Sequence, residues 1–211
     1  MNIFFDLDGT LLDSMPMWNN LERDFVESYG KEIDNESLWL LNSLTEKEMI
    51  KYLRDVLEID FNYEEIENFF ERKLFCGYSR DLKLRKDVLE TLDYLKSKGH
   101  NLSLATMTDY KYCKLAIERF SLNDYLDFIL APDLIDHSKS SPKFFEYGLK
   151  KYNNNEKSYL VDDASYALKV ARKANIIPIA IEDKNGREDF NMAKSLSDFA
   201  IKEIGDLRNI F

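Results

Sequence analysis

The chain has 211 residues and a formal net charge of −10, with 45% hydrophobic and 32% charged residues. That length fits one α/β core with a modest insertion, or two small domains, and the composition is that of a globular protein able to bury a core. The acidic balance, with Lys and Arg scattered rather than clustered, argues against a nucleic-acid or anionic-membrane surface, while leaving room for a phosphate held by local donors.

Cys76 and Cys113 have no metal-type spacing and make no disulfide framework, which points to a reducing, cytoplasmic setting. The opening Met1-Asn2-Ile3-Phe4-Phe5 reaches Asp6 without a basic region or a long apolar stretch, so no signal peptide is expected. No apolar run approaches transmembrane length.

In chain order, Ile3-Phe4-Phe5 predicts a short buried strand ending at Asp6. From Asp13 to about Arg80 the pattern is helical. Trp18, Leu21, Phe25 and Tyr29 recur at helical spacing, and Gly30 is placed to end that helix. Thr45 and Glu48 fit a capping box ahead of Met49, Tyr52, Leu53 and Val56. Between Glu65 and Phe75, Ile66, Phe69, Phe70 and Leu74 share one face. Three or four helices with no strand between them predict a small helical bundle. Beyond Arg80 the period changes. Val88, Leu89, Leu92 and Leu95 predict a helix ended by Gly99. Strands are then expected at Leu102 to Ala105, Phe128 to Leu130, Tyr159 to Val161 and Ile176 to Ile181, with helices at Cys113 to Phe120, Pro142 to Tyr152 and Ala164 to Ala174. This alternation implies a parallel sheet with helices on both faces. The expected architecture is α/β: a doubly wound, Rossmann-like core of residues 1–13 and 81–211, with an α-helical cap inserted at residues 14–80.

Four stretches lie just past predicted strands, where open parallel sheets place their ligand sites. The first is Asp6-Leu7-Asp8-Gly9-Thr10. Alternation along an extended segment puts the Asp6 and Asp8 side chains on the same side, and Gly9 permits a sharp turn. Two carboxylates at the exit of a buried strand are costly unless a cation or ligand compensates them. One can act as a nucleophile and the other as an acid/base; an acidic turn without chemistry is the plainer alternative. The second stretch runs from Leu102 to Met107, and Thr106 taken alone is an ordinary β-branched strand residue. The third, Lys139-Ser140-Ser141-Pro142-Lys143-Phe144-Phe145, offers two lysines, for which a solvated surface role is the default. The fourth is Val161-Asp162-Asp163-Ala164-Ser165. Adjacent carboxylates after an apolar strand suit a hard cation such as Mg²⁺, which prefers oxygen ligands. Asp163 could equally cap the helix beginning near Ala164.

In this order, the four stretches resemble the motifs of the haloacid dehalogenase superfamily, and the similarity covers nearly the whole chain. The resemblance implies that Asp6 attacks phosphorus and becomes an aspartyl phosphate. It implies that Asp8 protonates the leaving oxygen and then deprotonates the water. The dehalogenases themselves lack an acid at the Asp8 position, so Asp8 favours phosphoryl chemistry. Thr106 matches the Thr or Ser that holds the phosphate through its hydroxyl and the adjacent backbone N–H. Met107 stands where relatives often have Asn or Ser, which keeps a backbone contact and loses a side-chain one. Aligned on Pro142 and Phe145, the lysine that neutralises the nucleophile and phosphate is Lys139 rather than Lys143, with Ser140 in place of the usual Pro. The acidic pair resembles the Glu-Asp form of the last motif, since the Gly-Asp form needs an acid at Ala167. It implies Mg²⁺ held by Asp6, the backbone carbonyl of Asp8 and Asp163, with Asp162 assisting.

The resemblance as a whole implies a Mg²⁺-dependent phosphatase acting on a small-molecule phosphate monoester, in the subgroup that includes phosphoglycolate-phosphatase-like and β-phosphoglucomutase-like enzymes. The cap is expected to close over the substrate and to set specificity. Neither nucleic acid nor membrane is an expected partner, and the chain is expected to be a monomer or weak homodimer. Sugar-phosphate mutases of this subgroup carry a His early in the cap, whereas no His precedes His100 here. A phosphonatase needs a Schiff-base lysine, and Lys31, Lys47, Lys51 and Lys73 have no special context. The intact set of Asp6, Asp8, Thr106, Lys139 and Asp163 argues against a non-catalytic phosphate-ligand binding protein. His100 and His137 read as turn or surface residues. Met15, Met17 and Trp18 read as cap-helix core or as the lining of a substrate entrance.

Overall fold

The computed structural model describes residues 1–186 and 190–211. In chain order these form β1 (Asn2–Phe5), α1 (Met15–Ser28), α2 (Asn35–Ser43), α3 (Glu46–Asp55), α4 (Tyr63–Cys76), a π-helical turn (Gly77–Asp81), α5 (Val88–Ser97) and β2 (Asn101–Ala105). Then come α6 (Tyr110–Arg119), β3 (Phe128–Leu130), α7 (Pro142–Tyr152), β4 (Ser158–Asp162), α8 (Ser165–Lys173), β5 (Ile177–Ile181), α9 (Phe190–Ser195) and β6 (Phe199–Ile201). The backbone gathers into two compact units, Met1–Met15 with Tyr78–Phe211, and Pro16–Gly77.

The first unit is built on a six-stranded sheet of order β3-β2-β1-β4-β5-β6, parallel throughout. β1 is central and buried along its whole length. A strand covered on both faces reads as a continuous apolar run rather than an alternating one, which is why Ile3-Phe4-Phe5 carries no polar residue. The chain steps from β1 to β3 in one direction and from β4 to β6 in the other. The order therefore reverses between β1 and β4, and ligands of such sheets bind at the carboxyl ends of the strands beside that reversal. The amino ends of the central strands are pinned by Asn2, whose Nδ2 donates to Asn154 Oδ1 (2.9 Å) and Ser158 Oγ (3.1 Å) and whose Oδ1 accepts from Asn101 (2.9 Å).

Packing on this sheet centres on Phe4, which meets Phe128, Phe145 and Tyr152 edge-on at centroid distances of 6.3, 6.4 and 5.5 Å. α7 starts at Pro142, whose missing N–H costs nothing in a first helical turn. Its Gly148 lets the helix lie directly on the strands: a Cβ there would sit 2.7 Å from both Leu130 Cδ1 and Phe4 Cε1.

The helical unit has a core of its own. Phe25 lies 5.1, 5.3 and 6.1 Å from the rings of Phe61, Phe69 and Phe70, and Leu38, Leu41, Met49, Leu53 and Ile66 complete the buried cluster. Its helices are capped locally. Glu48 accepts from the Thr45 backbone N–H (2.9 Å), and Asn62 and Glu65 exchange the two bonds of a capping box (2.9 and 2.7 Å). Val56, expected among the apolar residues of α3, is exposed because the helix has reached its C-cap there.

Four features depart from the sequence reading. The helical unit is narrower than residues 14–80, because Ser14 and Tyr78 are buried within the α/β unit. The π-helical turn had no periodic signal. β6 and α9 are too short to show a period and extend the sheet at one edge. His100 does follow the turn at Gly99, but it is buried rather than on the surface, with its ring edge-on to Phe211 at 5.5 Å; His137 is exposed.

Gly148→Ala is expected to overpack the α7–sheet contact and destabilise the protein by about 1–3 kcal/mol. The check is the midpoint of chemical denaturation, read by circular dichroism against the wild type.

Candidate active site

Asp6 is the first residue past β1, and its backbone N–H donates to Val161 O (3.0 Å), continuing the pairing with β4 by one step. Its Oδ1 meets Lys139 Nζ at 2.5 Å, and the same Nζ lies 2.6 Å from Asp162 Oδ2. Lys139 is only 1% exposed, so its ammonium is enclosed between carboxylates delivered by two neighbouring strands. It comes from the segment between β3 and α7, and that segment is tied down. The Lys139 N–H donates to Met107 Sδ (3.3 Å), and Ser138 accepts from Ser140 N–H at Oγ (3.2 Å) and from Ser141 N–H at O (2.8 Å). Ser140 thus sits in a loop held by hydrogen bonds rather than by a proline ring. Lys143, the rival lysine, is exposed on the first turn of α7.

The two acids at the end of β4 divide their tasks differently from the expected helix cap. Asp162 Oδ1, not Asp163, accepts from the Ala164 N–H (2.9 Å) at the start of α8, while the other Asp162 oxygen faces Lys139. Asp163 turns toward the loop after β1. Thr10 Oγ1 donates to it at 3.4 Å, and a Cβ on Gly9 would come within 2.8 Å of Asp163 Oδ2. With its φ of +77°, position 9 takes glycine both for backbone shape and for this close approach.

Carboxylate oxygens of Asp6, Asp162 and Asp163 lie within 4.8 Å of one another. Burial raises the Asp6 carboxyl well above its ordinary range; Lys139 opposes this, while Asp162, Asp163 and Asp8 add to it. Asp163 is pushed up to about 8 by burial, then by Asp162 and Asp183. Burial disfavours the charge on Lys139, but Asp162 and Asp6 outweigh it and hold the ammonium above the ordinary lysine value. One ammonium cannot balance three carboxylates in a buried place. The cluster is short of positive charge, and its donors are all hard oxygens, which fits a divalent cation of the Mg²⁺ kind.

Asp8, half-buried, points elsewhere. Its Oδ1 accepts from Tyr78 OH (2.6 Å) and its Oδ2 from Thr108 Oγ1 (2.5 Å). Thr106, buried at the end of β2, accepts from the Thr108 N–H (3.0 Å). Met107 is 40% exposed, with its sulfur on the Lys139 loop. Three residues passed over in the sequence belong to this neighbourhood: Tyr78, Thr108 and Arg85. The Arg85 guanidinium donates to the carbonyls of Gly9 and Glu182, the latter at 2.5 Å, linking the loop after β1 to the loop after β5. Thr108 could have been found by its place two residues past Thr106. Tyr78 and Arg85 carried no local signal.

A doubly wound sheet with acids at the ends of its two central strands, bridged by a buried lysine, defines an α/β enzyme of the hydrolase kind. A family model of haloacid dehalogenase-like hydrolases matches residues 3–181, and the chain belongs to that family. It is similar to the phosphorylated carbohydrates phosphatase of Thermotoga maritima, with 28% identity over 82% of this chain and 81% of that protein. It is also similar to the phosphoglycolate phosphatase of Nitrosococcus oceani, with 24% identity over 82% and 80%. Among solved structures, a candidate β-phosphoglucomutase from Thermotoga maritima superposes with a TM-score of 0.85 at 25% identity, covering 99% of this chain and 97% of that one.

Removing one partner of a buried ion pair strands the others, at a cost of about 3–5 kcal/mol. Lys139→Met is therefore expected to lower the denaturation midpoint sharply in metal-free buffer, whereas Lys143→Met stays close to the wild type. Equilibrium urea unfolding of both variants is the check.

Proposed function

We propose that the chain is a Mg²⁺-dependent phosphatase that hydrolyses small-molecule phosphate monoesters through a phosphorylated Asp6. The observation that carries this reading is the buried Lys139 ammonium in contact with Asp6. A nucleophilic carboxylate and a phosphate dianion repel each other, and a fixed cation between them lowers that repulsion without reorganising during the reaction.

An Asp6 oxygen attacks phosphorus in line with the ester oxygen, and the P–O bond to the leaving group breaks as Asp8 gives that oxygen a proton. Asp8, now a carboxylate, takes a proton from the water that attacks the aspartyl phosphate. Phosphate leaves, and Asp6 and Asp8 return to their starting states. Thr106 Oγ1 and the Met107 backbone N–H hold the transferring group. Asp6, the backbone carbonyl of Asp8 and Asp163 would hold Mg²⁺, while Asp162 keeps Lys139 in place and assists. When bound, Mg²⁺ supplies positive charge to the phosphate oxygens and screens them from the attacking carboxylate.

The helical unit acts as a cap that shields the reacting groups from water and chooses the substrate. The similarity to a phosphatase of phosphorylated carbohydrates favours a small phosphorylated carbohydrate as substrate. Hydrolysis is preferred over a mutase because residues 16–77 contain no His. No helix among the described residues is long and apolar enough to cross a membrane. The enzyme of this proposal is cytoplasmic and works as a monomer or weak homodimer.

Hydrolysis of p-nitrophenyl phosphate with Mg²⁺, and its loss with EDTA, tests the proposal; a panel of carbohydrate phosphates then ranks substrates. Asp6→Asn is expected to reduce turnover to background while leaving the circular dichroism spectrum unchanged. Turnover at the wild-type rate would remove Asp6 as nucleophile.

Asp163→Asn is expected to raise the Mg²⁺ concentration for half-maximal activity by about tenfold or more. Asp162→Asn should chiefly lower kcat, since Asp162 already serves Lys139 and Ala164. Titrating activity against Mg²⁺ separates the two variants, and a larger shift for Asp162 would reverse the assignment.

A further inference from the structure

We propose that Tyr78 and Thr108 are positioning residues for Asp8, together fixing the plane of its carboxyl group so that it can exchange a proton with the leaving oxygen. The inference rests on the reading of Asp8 as the acid/base given above.

A carboxylate offers about four lone-pair sites, two on each oxygen. In this structure each Asp8 oxygen accepts one hydroxyl: Tyr78 on Oδ1 at 2.6 Å and Thr108 on Oδ2 at 2.5 Å. Two donors on two different oxygens stop rotation about the bond to the carboxyl carbon, which a single bond would permit. They also leave one site free on each oxygen, and Asp8 is only half-buried.

Both donors are themselves held. Tyr78 is fully buried, and its ring stacks on Tyr112 of α6, with centroids 6.0 Å apart and planes 25° apart. Thr108 is 7% exposed, and its backbone N–H is bound to Thr106 Oγ1 at 3.0 Å. The two hydroxyls lie 3.4 Å from each other. When Asp8 carries the proton, the Thr108 hydroxyl can turn toward Tyr78 while Tyr78 goes on donating to Oδ1. The full two-point hold therefore belongs to the ionised carboxylate, and the protonated group keeps the Tyr78 bond on Oδ1.

A buried tyrosine could serve packing alone, so the test must read proton delivery. Expelling an alkyl oxygen needs a proton; expelling p-nitrophenolate does not. The quantity to measure is kcat/KM, which reports the steps through transfer to Asp6, for p-nitrophenyl phosphate and for an alkyl phosphate that the wild type hydrolyses. Tyr78→Phe and Thr108→Val should each lose about tenfold or more on the alkyl ester relative to the aryl ester. Thr108→Ser, which keeps the hydroxyl, should keep the wild-type ratio. A purely structural role would lower both substrates in equal proportion.

Asp8→Asn separates the two levels of the argument. If it loses activity evenly on both esters, the acid/base reading fails and the inference goes with it. If it is selective while Tyr78→Phe and Thr108→Val are not, the acid stands and the positioning role is overturned. Should Tyr78→Phe fail to fold, the Thr108→Val and Thr108→Ser pair decides alone.

Discussion

A lysine shut away from water ordinarily sheds its proton, because burial penalises the ammonium. Lys139 keeps its charge because Asp6, just past β1, and Asp162, the last residue of β4, both point at it. That arrangement sets much else. The two strands must be neighbours and in register, the segment after β3 must bring the lysine across, and Met107 and Ser138 must hold that segment in place. It also uses up Asp162 as a partner of Lys139, leaving Asp163 to face the loop at Gly9. The negative charge that remains beyond what one ammonium can cancel makes this part of the molecule receptive to a second cation.

The elements that could be read from sequence were those with a sustained pattern. α7 was expected at Pro142 to Tyr152 and lies there, since proline opens it and Phe144, Phe145 and Gly148 form its buried side. The strands of the sheet centre were visible because continuous apolar runs of this length cannot remain exposed. β6 and α9 were not visible: β6 is exposed at two of its three positions, and the six residues of α9 are too few for a helical period. The π-helical turn at Gly77–Asp81 carries the fully buried Tyr78 and has no apolar repeat to mark it.

Within the site, proximity to a strand end made Asp6, Asp8, Thr106 and the Asp162–Asp163 pair readable. Lys139 needed comparison with a known motif, because a lysine in a loop carries no physical mark of burial. The division of labour between Asp162 and Asp163 was not readable either. Adjacent carboxylates differ only in the direction each takes from the backbone, and that direction depends on Lys139 and on the missing Cβ at Gly9. Tyr78 and Arg85 reach the site from distant sequence positions, 70 and 76 residues away from their partners Asp8 and Gly9. No local pattern records such a meeting.

The helical unit closes around Phe25 with a hydrophobic cluster of its own, and Asp6, Lys139, Asp162 and Asp163 belong to the α/β unit. Inheritance can therefore act on the two parts separately. Substitutions that repack or reshape residues 16–77 leave the strand ends and their charges as they were. Across a lineage, the helical cluster is free to drift while the acids and the lysine at the strand ends pass down unaltered.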